Sequence, residues 1–229
     1  MFFDPLYLIL ALPALLLGMY AQARVRNNFS KYSQVRTWRG LTGAEVARSL
    51  LNTQGLYEVQ VEESQGFLSD HYDPRSKTLR LSPDVYRSPS VAAAGIAAHE
   101  MGHALQHAHG YAPLQLRSAL VPAVQFSSNL APWIIIVGML LQWTSLAWVG
   151  VILFAGAVFF SLVTLPVEFD ASRRAKQLLV SEGVLSAQEV EGVNKVLDAA
   201  ALTYVAAAIA AVGQLLYWIL RLSGASRRD

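Results

Sequence analysis

Three long stretches without a charged residue constrain the fold of this chain more than any other feature. They cover residues 5–23, 118–167 and 199–220, with lengths of 19, 50 and 22 residues. A helix needs about 20 apolar residues to cross the hydrocarbon core of a bilayer. The first and third stretches therefore each fit one transmembrane helix, and the second fits two.

The longest stretch contains a polar break at Gln142, Thr144 and Ser145, with Trp143 and Trp148 beside it. Such a break with interfacial aromatic residues is typical of a tight hairpin at the membrane surface. Four spans are therefore predicted, at about residues 4–23, 119–141, 146–167 and 199–220. The last is rich in alanine, and a full span is predicted there over a partly re-entrant or interfacial helix.

The basic residues predict the orientation of these spans. Fifteen of the 18 Lys and Arg residues lie in residues 24–118 and 167–198, and the other three follow Leu220. Because basic residues accumulate on the cytoplasmic side, both polar segments are predicted in the cytoplasm and the N-terminus outside. A cleaved signal peptide is the alternative for residues 1–23, but no basic residue precedes the apolar stretch there.

The composition excludes several classes of protein. Hydrophobic residues make up 54% of the chain and charged residues 15%, with a net charge of +2. This balance does not suit a nucleic-acid-binding protein, whose affinity depends on neutralising phosphates. The chain has no cysteine, so a disulfide scaffold and thiolate metal sites are excluded, and a metal would be bound by His, Asp or Glu.

The polar segments carry the patterns of a small mixed α and β core. Alternating residues predict strands, and capping residues predict where helices begin. The predicted elements are an amphipathic helix at 42–52, strands at 57–61 and 78–82, a turn at 73–76, a helix from the Ser90 cap to about His109, and a helix that follows a Ser186/Glu189 capping box.

The predicted protein is a mainly α membrane protein, with four transmembrane helices and a small α+β core. Its predicted parts follow the chain order. They are an N-terminal anchor at 1–23, a cytoplasmic core at 24–118, a transmembrane hairpin at 119–167, a helical segment at 168–198, and a last transmembrane helix with its tail at 199–229.

The long helix carries the sequence His99-Glu100-Met101-Gly102-His103. Two histidines four residues apart lie on one helix face, so their imidazoles can converge on one Zn²⁺ ion. Glu100 is turned by about 100° from His99 and can reach a water molecule at the metal. The motif predicts a zinc site formed by His99 and His103, with Glu100 as the general base.

A catalytic zinc ion needs a third protein ligand, for which the sequence offers three candidates. His109 would need a chain turn at position 106, where the sequence has Gln106 and not the glycine of related motifs. His107 lies too far along the helix from His99 and, like His109, is predicted to be a solvated residue at the helix end. Glu168 is the predicted ligand, because a carboxylate at the membrane boundary needs a partner.

Four other polar residues, Asp170, Arg173, Arg174 and His71, are predicted to lie outside the set of zinc ligands. Asp170 is predicted on a different helix face from Glu168, as a structural acid or one that supports a ligand. The alternative for Glu168 is an interfacial acid beside Arg173 and Arg174. Both arginines are predicted as membrane anchors, and His71 as a hydrogen-bonded loop residue over an electrophile in catalysis.

Three segments together resemble the YugP-type neutral zinc metallopeptidases of bacterial membranes: residues 99–103, residues 68–76, and Glu168-Phe169-Asp170-Ala171. The chain is more distantly similar to the HtpX and CAAX-prenyl membrane proteases. Their third ligand is the Glu of an E-x-x-A-D pattern, which the resemblance places at Glu168, with Ser172 in the position of the Asp. It implies a gluzincin core and a small sheet whose edge strand pairs with extended substrate.

These observations predict a zinc-dependent endopeptidase of the bacterial cytoplasmic membrane, with its active site at the cytoplasmic face. Its expected partners are the bilayer and a peptide or membrane-protein substrate, which strand 78–82 would bind by strand addition. The alternative is a catalytically weak zinc-binding membrane adaptor or quality-control partner. A transporter is disfavoured because the three charge-free stretches contain no Asp, Glu, Lys, Arg or His.

Overall fold

A computed structural model describes residues 4–66 and 69–225 of the chain. The described part is mainly helical, as predicted, with seven helices and a three-stranded sheet. In chain order the elements are α1 (Pro5–Ser33), α2 (Gly43–Thr53), β1 (Gln60–Glu63), β2 (His71–Asp73), β3 (Thr78–Leu81), α3 (Pro83–Tyr86), α4 (Val91–Ala108), α5 (Ala112–Leu140), α6 (Thr144–Ser181) and α7 (Ala187–Ala225). Leu68, the first residue of the segment 68–76, lies outside the described residues, as do Arg227 and Arg228, two of the three basic residues after Leu220.

Four helices, α1, α5, α6 and α7, are long and apolar enough to cross a membrane, which confirms the number predicted. The predicted spans are the apolar portions of these longer helices. α6 continues without a break from the apolar stretch through Glu168 to Ser181, and α7 joins the predicted helix after Ser186 to the last apolar stretch. The predicted hairpin is present, since α5 ends at Leu140 and α6 begins at Thr144.

The chain forms two compact units, and the first comprises the described parts of residues 1–21, 115–165 and 203–229. Its buried core includes Ile135, Val151 and Tyr217. At one end, the Tyr217 hydroxyl donates to Asp4 Oδ2 at 3.2 Å, and Arg221 lies 3.5 Å from the same oxygen. A cavity of about 620 Å³ there is also lined by Gln142 of the hairpin. The end of α7 therefore lies beside the start of α1.

The second unit comprises residues 22–114 and 166–202. Its core includes Leu50 of α2, Leu79 of β3, Met101 of α4 and Leu179 of α6, all fully buried. The arrangement encloses α4 among these elements, so the helix that carries the histidine motif is held in a packed environment.

Side-chain caps begin three helices of this unit at the predicted places. Thr42 Oγ1 accepts a hydrogen bond from the backbone N–H of Glu45, whose carboxylate accepts one from the N–H of Thr42. Ser90 accepts from the N–H of Ala93 at the start of α4. At the start of α7, the Glu189 carboxylate accepts a hydrogen bond from the N–H of Ser186, and Ser186 Oγ accepts one from the N–H of Glu189, which is the predicted capping box. Each cap satisfies backbone donors that a helix leaves unpaired at its first turn.

The sheet corrects two predictions about the strands. Its order is β1-β3-β2, with β1 parallel and β2 antiparallel to β3. The strand predicted at 57–61 begins only at Gln60, because Tyr57 and Glu58 form a turn. β3 is the central strand, with both edges already paired. The prediction that strand 78–82 binds substrate by strand addition is therefore wrong.

Candidate metal centre

His99 and His103 lie on α4 and face the same side of the helix. They stand four positions apart along the helix, which brings their ring centroids to 4.8 Å from each other. His103 is buried, and the side chain of His99 is 14% exposed. Local sequence and tertiary packing thus place two imidazoles side by side in a mostly closed environment.

Glu168 extends from α6 toward both imidazoles. Its Oε2 atom lies 3.2 Å from His99 Nε2 and 3.6 Å from His103 Nε2, and its side chain is 3% exposed. The ligand atoms of these three residues all lie within 4.8 Å of one another. Of the candidates considered for a third ligand, Glu168 is the one that the structure brings to the histidine pair.

The other nitrogen of each imidazole also has a partner. His99 Nδ1 lies 3.1 Å from Ser172 Oγ, and His103 Nδ1 lies 3.0 Å from Gln106 Oε1. Histidine ligands in metal sites are usually held in this way through the nitrogen that does not bind the metal. Neither contact was predicted, although Ser172 is one helical turn after Glu168 and Gln106 is nearly one turn after His103.

Asp170, two residues after Glu168 on α6, contacts Gln106, which is the hydrogen-bond partner of His103. Its buried carboxylate accepts a hydrogen bond from Gln106 Nε2 at 2.9 Å and forms ion pairs with Arg173 and Arg174. Asp170 is thus connected to His103 by two hydrogen bonds through the side chain of Gln106, which is consistent with its predicted supporting role. The two arginines form ion pairs with Asp170, and Glu168 approaches the two imidazoles.

Glu100 follows His99 on α4 and is 8% exposed. Its charge acts on the carboxyl of Asp70 and on the imidazole of His103. Burial raises the pKa of the Asp70 carboxyl, hydrogen bonds from Ser82 oppose that shift, and the charge of Glu100 adds to it. Burial lowers the pKa of His103, but the hydrogen bond with Glu168 and the charges of Glu100 and Glu168 outweigh burial and raise it. The charge of Glu100 therefore favours the protonated form of His103.

The remaining histidines lie apart from the cluster. His109 is exposed at the end of α4, and its Nδ1 lies 3.3 Å from Arg174. His107 is not simply solvated, as predicted, because its Nδ1 is 2.9 Å from the hydroxyl of Tyr72 on β2. Burial and the charges of Glu58 and Asp73 raise the pKa of that hydroxyl to about 12, so it stays protonated.

The prediction that His71 lies in a loop is wrong. His71 is the first residue of strand β2 and is exposed, with Nδ1 2.8 Å from the carbonyl oxygen of Ser69. β2 was not predicted, because a strand of three residues has no alternation long enough to recognise. His71 is thus a strand residue at one edge of the sheet.

The donor atoms of the cluster suit a zinc ion. Two imidazole nitrogens and one carboxylate oxygen form the His₂Glu set of catalytic zinc sites, which leave a fourth position open. The Nδ1 atoms already have partners, and both Nε2 atoms lie near the carboxylate. Within the described part of the chain, this is the one cluster of His, Asp and Glu with such convergence.

Comparison with known proteins agrees with this arrangement. The model of a family described as "Putative neutral zinc metallopeptidase" matches residues 7–223. The chain is 51% identical over 215 residues to a protein of Bacillus subtilis (strain 168) named "Putative membrane protease YugP", which covers 94% of this chain and 96% of that protein. No solved structure matches the chain.

Proposed function

Because the chain belongs to the neutral zinc metallopeptidase family, we propose that it is a membrane-embedded, zinc-dependent endopeptidase. Its site is of the gluzincin type, with His99, His103 and Glu168 as the zinc ligands. The observation that carries the proposal is the convergence of their ligand atoms within 4.8 Å, with Glu100 on the helix that holds both histidines. A structural zinc site usually has four protein ligands, so a set of three favours catalysis over the adaptor role.

The chain's own residues supply the proton transfers of peptide hydrolysis. Zinc, when bound, would act as a Lewis acid on the scissile carbonyl and lower the pKa of the attacking water. The Glu100 carboxylate accepts a proton from that water and then delivers it to the nitrogen of the leaving amine. The low exposure of Glu100, at 8%, limits competition from bulk solvent at the carboxylate.

Four apolar helices support a location in the membrane, and the basic residues support the proposed side of the site. Fifteen of 18 Lys and Arg residues lie in the two segments that contain the site. The positive-inside tendency therefore favours a site at the cytoplasmic face of the bacterial membrane. Peptide bonds of membrane-associated proteins are the proposed substrates.

An extended substrate could add to the sheet at an edge strand. Within the described residues, β2 pairs with β3 on one side only, and Tyr72 of β2 contacts His107 of α4. β2 therefore offers backbone hydrogen bonds next to the helix that carries the histidine motif. We place the substrate backbone along β2, in place of the central strand β3.

Substitution of Glu100 tests the proposed activity. Glu100→Gln keeps the side-chain shape and all three ligands, so zinc should remain bound while hydrolysis falls by about 100-fold or more, a typical loss for a general base. The measurement is zinc content and cleavage of an unfolded protein substrate by detergent-solubilised wild type and variant. Glu189→Gln, at the cap of α7, provides a control that removes the same charge elsewhere. Full activity of Glu100→Gln would contradict the proposal.

A further inference from the structure

Gln106 is a buried polar residue that the proposed reaction does not use. It lies on the last turns of α4, and its side chain has no exposed surface. Its Oε1 is 3.0 Å from His103 Nδ1, while its Nε2 is 2.8 Å from the carbonyl oxygen of Val167 and 2.9 Å from Asp170 Oδ2. A buried amide with all of these partners has one defined orientation.

The partners on α6 determine which way the amide faces. The Val167 carbonyl can only accept a hydrogen bond, and the Asp170 carboxylate, paired with Arg173 and Arg174, is also an acceptor. Both must therefore face the NH₂ group of Gln106. The opposite orientation would place the amide oxygen against two other acceptors in a buried site, which is costly.

This orientation also determines where the proton of His103 lies. The amide oxygen of Gln106 can only accept, so His103 Nδ1 must carry the hydrogen of that bond. In the neutral imidazole, Nε2 then keeps its lone pair. That nitrogen is the one near Glu168 Oε2, at 3.6 Å.

The same side chain links the two helices that carry the ligands. Val167 and Asp170, its partners on α6, are on either side of Glu168 in sequence. A single amide thus connects His103 on α4 to the turn of α6 that presents Glu168. Loss of these bonds would free both the imidazole and that turn.

We propose that Gln106 is a positioning residue that holds His103 in the tautomer with a protonated Nδ1 and fixes the distance between His103 and Glu168. The inference builds on the proposed zinc site. It predicts that Gln106 sets the affinity for zinc without contacting the metal. Supporting contacts of this kind usually change metal affinity by about 10–100-fold.

The test compares zinc affinity of the full-length, detergent-solubilised protein and its Gln106→Met variant by competition with a chelator. Methionine has a similar length and no amide, so we expect a loss of affinity of about 10–100-fold. Leu105→Ala is the matched control, because it removes a buried side chain from the same turn without removing a histidine partner. It should lower the melting temperature and leave zinc affinity unchanged.

A second measurement needs no variant of Gln106. With selective ¹⁵N labelling of the five histidines, the zinc-loaded wild type should show His103 with a protonated Nδ1 that exchanges slowly with solvent. Unchanged zinc affinity in Gln106→Met, or an unprotonated Nδ1 on His103, would overturn the inference and leave the zinc site intact. A wild-type protein that binds no zinc would instead overturn the proposed function.

Discussion

Gly102 of α4 lies against the backbone of Ala171 of α6: a β-carbon added to Gly102 would be 2.6 Å from the carbonyl oxygen of Ala171. This close approach occurs between two ligand-bearing segments, since Gly102 precedes His103 and Ala171 follows Glu168 by three residues. The glycine therefore allows the two helices to come close enough for their side chains to meet. A larger residue would have to move one helix, because the atom opposite belongs to the backbone.

Gly102→Ala should therefore damage the site although it removes no ligand. The added methyl group would push α6 away from α4, at a cost of about 1–3 kcal/mol for overpacking, and zinc occupancy should fall. Thermal unfolding and zinc content of the purified variant measure the two effects. Gly156→Ala on α6 is the control, because its added β-carbon would meet nothing within 4 Å. Wild-type zinc content in Gly102→Ala would contradict this account of the helix contact.

Ser172 should contribute to zinc affinity through His99. Ser172→Ala removes the hydroxyl that lies 3.1 Å from His99 Nδ1, so affinity should fall roughly 10-fold or more. Ser172→Asp supplies another acceptor and should retain zinc. Chelator competition measures both variants, with Ser161→Ala as a control because that hydroxyl donates to the carbonyl oxygen of Val158 within α6. Equal affinity in Ser172→Ala and wild type would show that the contact does not support the site.

The chain's ligand candidates could be predicted from sequence because each leaves a local signal. His99 and His103 stand four apart on a capped helix, and Glu168 stands where a charge-free stretch ends. The contacts that hold them leave no such signal. The sequence indicates only that Gln106 does not turn the chain toward His109 as a glycine would. Its partners on α6 are more than 60 residues away in sequence. Only the packing of α4 on α6 reveals them.

In the fold as well, features set by local sequence were predicted, and features set by contacts between distant segments were not. The apolar lengths predicted four helices, and the Ser90 cap predicted the start of α4. The position of β3 in the sheet could not be derived, because strand order depends on pairing between distant segments. β2 is too short to detect, and its absence from the prediction made β3 look like an edge strand.

The orientation in the membrane is testable with reporter fusions. The distribution of basic residues predicts cytoplasmic signals at Gln65 and Gln188 and an external signal at Thr144. A fusion after Gly224 should also be external, because Arg221 near the end of α7 lies beside Asp4 and Gln142 in one cavity. An external signal at Gln65 would reverse the orientation, and a cytoplasmic signal after Gly224 would exclude a full span by α7.

The most direct test of the central claim is zinc per chain after dialysis of the purified, detergent-solubilised protein and three variants. Glu168→Ala leaves two protein donors and should lose most of its zinc together with activity. His109→Ala should keep both, since its imidazole lies beside Arg174 and not in the cluster. Asp170→Ala should give an intermediate loss, because it acts through Gln106. Circular dichroism of each variant separates loss of metal from loss of fold. Retention of zinc by folded Glu168→Ala, with its loss from folded His109→Ala, would contradict the account.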